Sequence, residues 1–176
     1  MKLVAQVKLV VEKEHLDALT RTLATMNQAA NEVSSVAWQH RVFLRIPLRR
    51  TCYYEVRSQF GLGAQATQSV IRKVADSYKL DRNTRREFCL DGAVTYDDRM
   101  LSWNQGSRTV SIWTVDGRIT IPFVGGERQL KLLTLRKGES DLVLRDGKFF
   151  VFATCDEQEP KALYSDRQEW SRTTRS

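Results

Sequence analysis

Leu3, Ala5, Val7, Leu9 and Val11 recur at every second position, while Lys2, Gln6 and Lys8 occupy positions between them. A period of two predicts a half-buried strand over residues 2–11. From Glu14 the period lengthens. Leu16, Leu19, Leu23, Met26, Ala30, Val33 and Ala37 follow one another at three and four residues, which predicts an amphipathic helix of roughly six turns packed along one stripe. Glu12, Glu14 and Asp17 near its start suit the positive end of a helix dipole. Trp38, near its end, is expected to anchor the core.

Residues 41–50 contain Pro47, which a helix interior tolerates poorly, so this stretch reads as a connection with at most a short helical turn. Thr51 is placed to cap a helix running to about Phe60. Gly61-Leu62-Gly63 breaks that helix, and a further one from Ala64 to about Leu80 puts Val70, Val74 and Tyr78 on one face. Gln65, Gln68 and Arg72 share another face at spacings of three and four. In outline the two helices resemble a helix-turn-helix.

After Asp91-Gly92 short strand-like runs follow: Ala93–Tyr96, Arg108–Val115, Arg118–Val124, Gln129–Arg136, Asp141–Arg145 and Lys148–Thr154. Asp116-Gly117 and Asp146-Gly147 fall between neighbouring runs and predict hairpins, because both central residues tolerate positive φ. Runs of this length and spacing suggest a small barrel or sandwich. The N-terminal strand has no local partner and is expected to join it. The expected fold class is therefore α+β. Residues 1–12 give the first barrel strand, 13–90 an inserted helical lobe and 91–156 the remainder of the barrel. Residues 157–176 form a polar tail expected to be disordered.

Charge sharpens this division. Residues 41–90 hold 11 Lys and Arg against 4 Asp and Glu, whereas the counts balance in 1–40 (4 and 4), 91–156 (9 and 9) and 157–176 (4 and 4). The whole formal net charge of +7 thus sits in one block. A localised positive field is the footprint of a polyanion partner, since bound Lys and Arg release counterions from phosphates. The block also carries Tyr53, Tyr54, Phe60, Tyr78 and Phe88, suited to base stacking, and Gln59, Gln65, Gln68 and Ser69, suited to base edges.

Other chemistry is scarce. Cys52, Cys89 and Cys155 are far apart and odd in number, which fits reduced thiols in a cytoplasmic protein and excludes a Cys-x-x-Cys zinc motif. His15 and His40 are isolated, so no zinc site is expected. No apolar run approaches the roughly 20 residues of a membrane span. The N-terminal segment alternates and lacks a signal-peptide hydrophobic region.

Three runs carry a resemblance. Residues 53–79 (YYEVRSQFGLGAQATQSVIRKVADSYK) resemble the helical segment of TnpB (OrfB-type) transposon-encoded proteins. Residues 91–103 (DGAVTYDDRMLSW) resemble the first barrel strand after that segment, and 141–154 (DLVLRDGKFFVFAT) the last strand pair of the barrel. Order and spacing agree over roughly residues 1–156. The resemblance implies an RNA-guided DNA endonuclease family whose N-terminal half is a wedge-type, OB-like barrel interrupted by a helical recognition lobe. Barrel and lobe together would hold a guide RNA and read a short motif beside the target DNA, while base pairing reads the rest. Gln65, Gln68 and Ser69 would face that motif, with Tyr53, Tyr54 and Arg57 flanking it. Gln offers a bidentate contact to adenine, which suits an A/T-containing motif.

The family's nuclease half, in which three carboxylates hold two Mg ions, is expected to be missing. Nothing from Lys161 to Ser176 resembles its opening strand. Asp97-Asp98 belong to a barrel motif and the acids at 156–159 to a charge cluster, so neither is taken as a metal site. No catalytic residue, metal ligand or cofactor is expected in this chain. The expected partners are a guide-like RNA and double-stranded DNA, without a membrane. The leading expectation is the nucleic-acid-binding portion of a TnpB-like protein. The alternatives are a nuclease-dead DNA-binding regulator, or a transposase remnant that self-associates through exposed apolar surface.

Overall fold

The computed structural model describes residues 1–157, so the expected polar tail lies, from residue 158 on, outside the described residues. β1 (Lys2–Leu9) alternates as its sequence predicts, with Ala5, Val7 and Leu9 facing inward. α1 (Lys13–His40) follows for 28 residues. Its stripe buries Leu19, Leu23, Met26, Ala30, Val33 and Ala37, and Thr22, Asn27 and Ser34 are buried beside them. Arg41 ends the helix in the left-handed region (φ 55°), donating its N–H to the Ala37 carbonyl. Its guanidinium lies 4.6 Å from the Trp38 ring centre and 5.1 Å from that of Phe43, contacts that help hold this unusual cap.

α2 (Arg45–Phe60) begins earlier than the sequence suggests. Pro47 is its third residue, in the first turn, where a backbone N–H has no intrahelical acceptor to lose. The connection therefore shrinks to residues 41–44. Thr51 is no cap but an interior residue whose hydroxyl donates back to the Pro47 carbonyl at 2.8 Å. Gly61 closes the helix in the left-handed region (φ 62°), which tucks Leu62 into the core. α3 (Ala64–Leu80) then turns back against α1 and α2 and buries Val70, Ile71, Val74 and Tyr78.

The seven strands form one antiparallel sheet that curls into a nearly closed barrel, in the order β2-β6-β7-β1-β5-β4-β3. They are β1, β2 (Val94–Tyr96), β3 (Leu101–Asn104), β4 (Thr109–Thr114), β5 (Gly117–Val124), β6 (Arg136–Arg145) and β7 (Lys148–Asp156). β1 lies between β7 and β5, pairing in register from Lys2↔Asp156 to Lys8↔Phe150 on one side and at Lys8↔Val124 and Leu9↔Phe123 on the other. The three long helices are thus inserted between the first and second strands. The two edge strands, β2 and β3, are neighbours in the chain. Trp113 N–H donates to the Met100 carbonyl at 2.8 Å, which carries the β3–β4 ladder into the turn, and the Tyr96 hydroxyl of β2 reaches across to the Trp113 carbonyl of β4 at 3.1 Å.

One strand expectation and one turn expectation need correction. Residues 129–136 are not a strand. α4 (Glu127–Leu133) occupies most of them, with Leu133 buried and Leu130 and Leu132 packed on the core. Leu130 and Leu133 suit a helix as well as Leu130 and Leu132 suit a strand, and Gly125-Gly126 ends β5 just before. The β6–β7 turn has Asp146 and Gly147 both at positive φ (52° and 72°), as expected. In the β4–β5 turn, Thr114 pairs with Gly117, so the loop residues are Val115 and Asp116 and only Gly117 takes positive φ (113°). Among the described residues, no helix is long and apolar enough to cross a membrane.

Candidate nucleic-acid interface

α1 fixes the site from behind through polar residues that its apolar stripe conceals. Asn27, Asn31 and Ser34 recur at four and three residues on one face and grip the extended segment 81–93. Asn31 accepts from Phe88 N–H at 2.7 Å and donates to the Phe88 carbonyl at 3.0 Å. Asn27 donates to the carbonyls of Gly92 (2.9 Å) and Leu90 (3.3 Å). Ser34 donates to the Arg86 carbonyl at 2.5 Å, and the Tyr78 hydroxyl accepts from Arg86 N–H at 3.1 Å. Lys73 of α3 completes the clamp, donating to Asn27 Oδ1 and to the Ala93 carbonyl, both at 2.8 Å. Burial pulls the Lys73 ammonium below its ordinary pKa. The segment thereby leads the chain from α3 into β2 along a fixed path.

In front of this clamp lies a cleft of about 610 Å³. One wall is the first turns of α2, with Arg45, Ile46 and Arg49. The opposite wall is α3, with Gln65, Gln68, Ser69, Arg72 and Asp76. Thr95, the turn residues Asp97 and Arg99, and Glu139 of β6 form its floor. Four of the residues expected at the site, Gln65, Gln68, Ser69 and Arg72, therefore meet in one place. They are not equivalent. The Ser69 hydroxyl is committed to the Thr95 carbonyl at 2.7 Å. The Arg72 guanidinium forms a two-pronged pair with the Glu139 carboxylate, which pushes its pKa up and fixes its charge. Gln65 and Gln68 are half-buried, and among the described residues their amides have no hydrogen-bond partner.

The aromatic candidates divide differently. Tyr53 is 9% exposed and belongs to the core, with Arg49 5.3 Å from its ring centre and Tyr54 packed edge-on at 5.1 Å. It cannot offer a face to a base in this arrangement, because its position on α2 matches the buried stripe of Leu48, Cys52 and Val56. Tyr78 is fully buried as well. Tyr54, by contrast, is 80% exposed. It lines a separate, shallower depression with Arg57, Ser58, Gly61 and Leu62 at the far end of α2. The expected set thus falls into a cleft group, an α2 terminal group and one core residue.

Sequence reasoning missed Arg45, Arg49, Arg99, Thr95 and Glu139. The spacing of four between Arg45 and Arg49 was the available signal, obscured by reading Pro47 as a helix breaker. Among the described residues, Arg45, Arg49, Arg50 and Arg57 have no carboxylate within 4.0 Å, nor do Arg41, Arg82 and Arg85. Also among the described residues, no group of three or more His, Cys, Asp or Glu is disposed to hold a metal ion. No family model matches the chain, and a search of curated proteins returns no match.

Proposed function

We propose that this chain is a nucleic-acid-binding protein akin to the N-terminal half of TnpB-type RNA-guided nucleases. In this reading the sheet is a wedge-type, OB-like barrel and α1–α3 are its recognition lobe. The α2–α3 cleft takes the double-stranded motif beside a target, and a guide-like RNA supplies the remaining specificity. The observation that carries the reading is the pairing of two unlike walls. Arg45 and Arg49, one helical turn apart and without carboxylate partners among the described residues, face two half-buried glutamines with free amides. Arginines without partners position a phosphate backbone, and glutamines discriminate base edges, adenine best. Ser69 serves as a brace between α3 and β2 in this reading, and Tyr54 and Arg57 as an outlying contact.

The test is purification of the chain at moderate salt with sequencing of the co-purifying RNA. Duplex binding is then measured with and without that RNA. A single structured RNA, together with duplex binding that depends on it, is the expected result. Heterogeneous RNA removed by salt would overturn the guide. A DNA-binding regulator is the second reading, favoured by the α2–α3 hairpin, whose cleft is complete without any RNA element. Specific duplex binding by the RNA-free protein would select it. Neither activity, with self-association through exposed apolar residues such as Val4 and Val124, would mark a remnant.

A further inference from the structure

Arg72 shares its helical face with Gln65 and Gln68, and a nucleic-acid reading would first send it to a phosphate. The fold commits it elsewhere. Its Nη2 donates to Glu139 Oε2 at 2.6 Å, its Nη1 donates to Oε1 of the same carboxylate, and Asp76 lies 4.0 Å from its Nε. Glu139 reaches across through a local departure from regular strand. β6 pairs with β7 at Arg136↔Cys155 and resumes at Ser140↔Ala153, so two extra residues are accommodated on β6. Gly138, within this irregularity, has φ 94°, where a side chain would be strained. Bulges of this kind re-aim side chains, and this one brings Glu139 to the floor of the cleft.

We propose that Glu139 is a specificity-determining residue of the cleft. By neutralising Arg72 it removes sequence-independent phosphate affinity from the wall that carries Gln65 and Gln68. The proposal rests on the nucleic-acid reading above and adds to it a division of labour. Backbone charge is recognised from α2, and the α3 wall is kept electrically quiet so that hydrogen bonds to base edges decide the outcome. An uncommitted Arg72 would hold a phosphate against the wall that carries Gln65 and Gln68, and so tighten binding modes that bypass the base edges more than the mode that reads them. The Glu139 and Asp76 carboxylates also repel a backbone approaching that wall, which favours one orientation of the duplex.

Glu139→Gln tests this, because the amide keeps the size of the side chain and one acceptor for Arg72 while removing the charge. The full chain is titrated with a short mixed-sequence DNA duplex and with an A/T-rich one across a range of KCl concentrations. Glu139→Gln is expected to bind the mixed-sequence duplex roughly threefold to tenfold tighter, with a log–log salt slope steeper by about one. Its preference between the two duplexes should shrink by a similar factor. The double variant Arg72→Gln/Glu139→Gln should return slope and preference to those of the unaltered chain. If the unaltered chain binds and Glu139→Gln matches it in affinity and slope, the inference is overturned and the nucleic-acid reading stands. Weaker binding by Glu139→Gln together with a lowered melting temperature would assign Glu139 a purely structural role, and also overturns the inference. If neither protein binds either duplex at low salt, the nucleic-acid reading itself falls and takes the inference with it.

Discussion

Helix α2 carries Arg45, Arg49, Arg50 and Arg57; helix α3 carries Arg72, Lys73 and Lys79. In sequence both belong to one positive block. In space they differ in what their charges touch. Arg72 is held by Glu139 and Asp76, Lys79 by Asp76 at 3.0 Å, and Lys73 by Asn27 and the Ala93 carbonyl. The α2 arginines have no carboxylate within 4.0 Å among the described residues. A count of Lys and Arg therefore overstates the field available to a polyanion. The cations on α3 largely join α3 to the rest of the fold; among the described residues those on α2 meet no carboxylate, and Arg57 and Arg49 touch only Tyr53, through its hydroxyl at 3.4 Å and its ring.

The sharpest break in that contrast is on the α3 side. Asn27→Ala removes the acceptor of Lys73 and strands the carbonyls of Leu90 and Gly92, so unfolding free energy should fall by about 3 kcal/mol. Denaturant titration checks this, and the segment 81–93 should become sensitive to protease first. Tyr53 and Tyr54 test the two faces of α2 directly. Tyr53→Ala should cost about 2–3 kcal/mol, as a buried aromatic does, whereas Tyr54→Ala should stay within about 0.5 kcal/mol.

The buried face of α2 also carries a pH signature. Burial pushes the Cys52 thiol up to about 11. An unperturbed thiol ionises near 9.0, so between that pH and about 11 the unfolded chain has lost a proton that the folded one keeps. Stability should therefore fall as pH rises through this window, by about 3 kcal/mol in all. Cys52→Ala should flatten that part of the profile, and in the native protein exposed Cys89 should react with thiol reagents well before Cys52 or Cys155. The smallest effect on stability is expected on the free side. Arg45→Gln/Arg49→Gln should leave unfolding within about 0.5–1 kcal/mol of the unaltered chain.

Regular periods were legible where burial is one-sided. β1, the α1 stripe, the break at Gly61-Leu62-Gly63 and the β6–β7 hairpin follow directly from them. The insertion of the helices after β1 follows from the lack of a local partner for that strand. Residues 129–136 were not legible, because Leu130, Leu132 and Leu133 satisfy both periods and tertiary packing chose the helix. Pro47 misled because its effect depends on whether it falls in the first turn or beyond. At the site, sequence identified Gln65, Gln68, Ser69 and Arg72 but could not tell free groups from committed ones. That distinction depends on Thr95 and Glu139, which lie 26 and 67 residues from their partners Ser69 and Arg72. The buried Asn27 and Ser34 and the half-buried Asn31 were hidden for the same reason: their acceptors and donors lie on a segment without regular structure.

Whether the α2 wall faces phosphates is decided by the salt dependence of duplex binding, compared between the unaltered chain and Arg45→Gln/Arg49→Gln. Steep weakening with salt is expected for the unaltered chain, with a log–log slope lower in magnitude by about two for the double variant and melting temperatures within about 4 °C of each other. Binding with the same slope in the two proteins, or binding that ignores salt, would contradict the assignment of the α2 wall as the phosphate-facing side of the cleft.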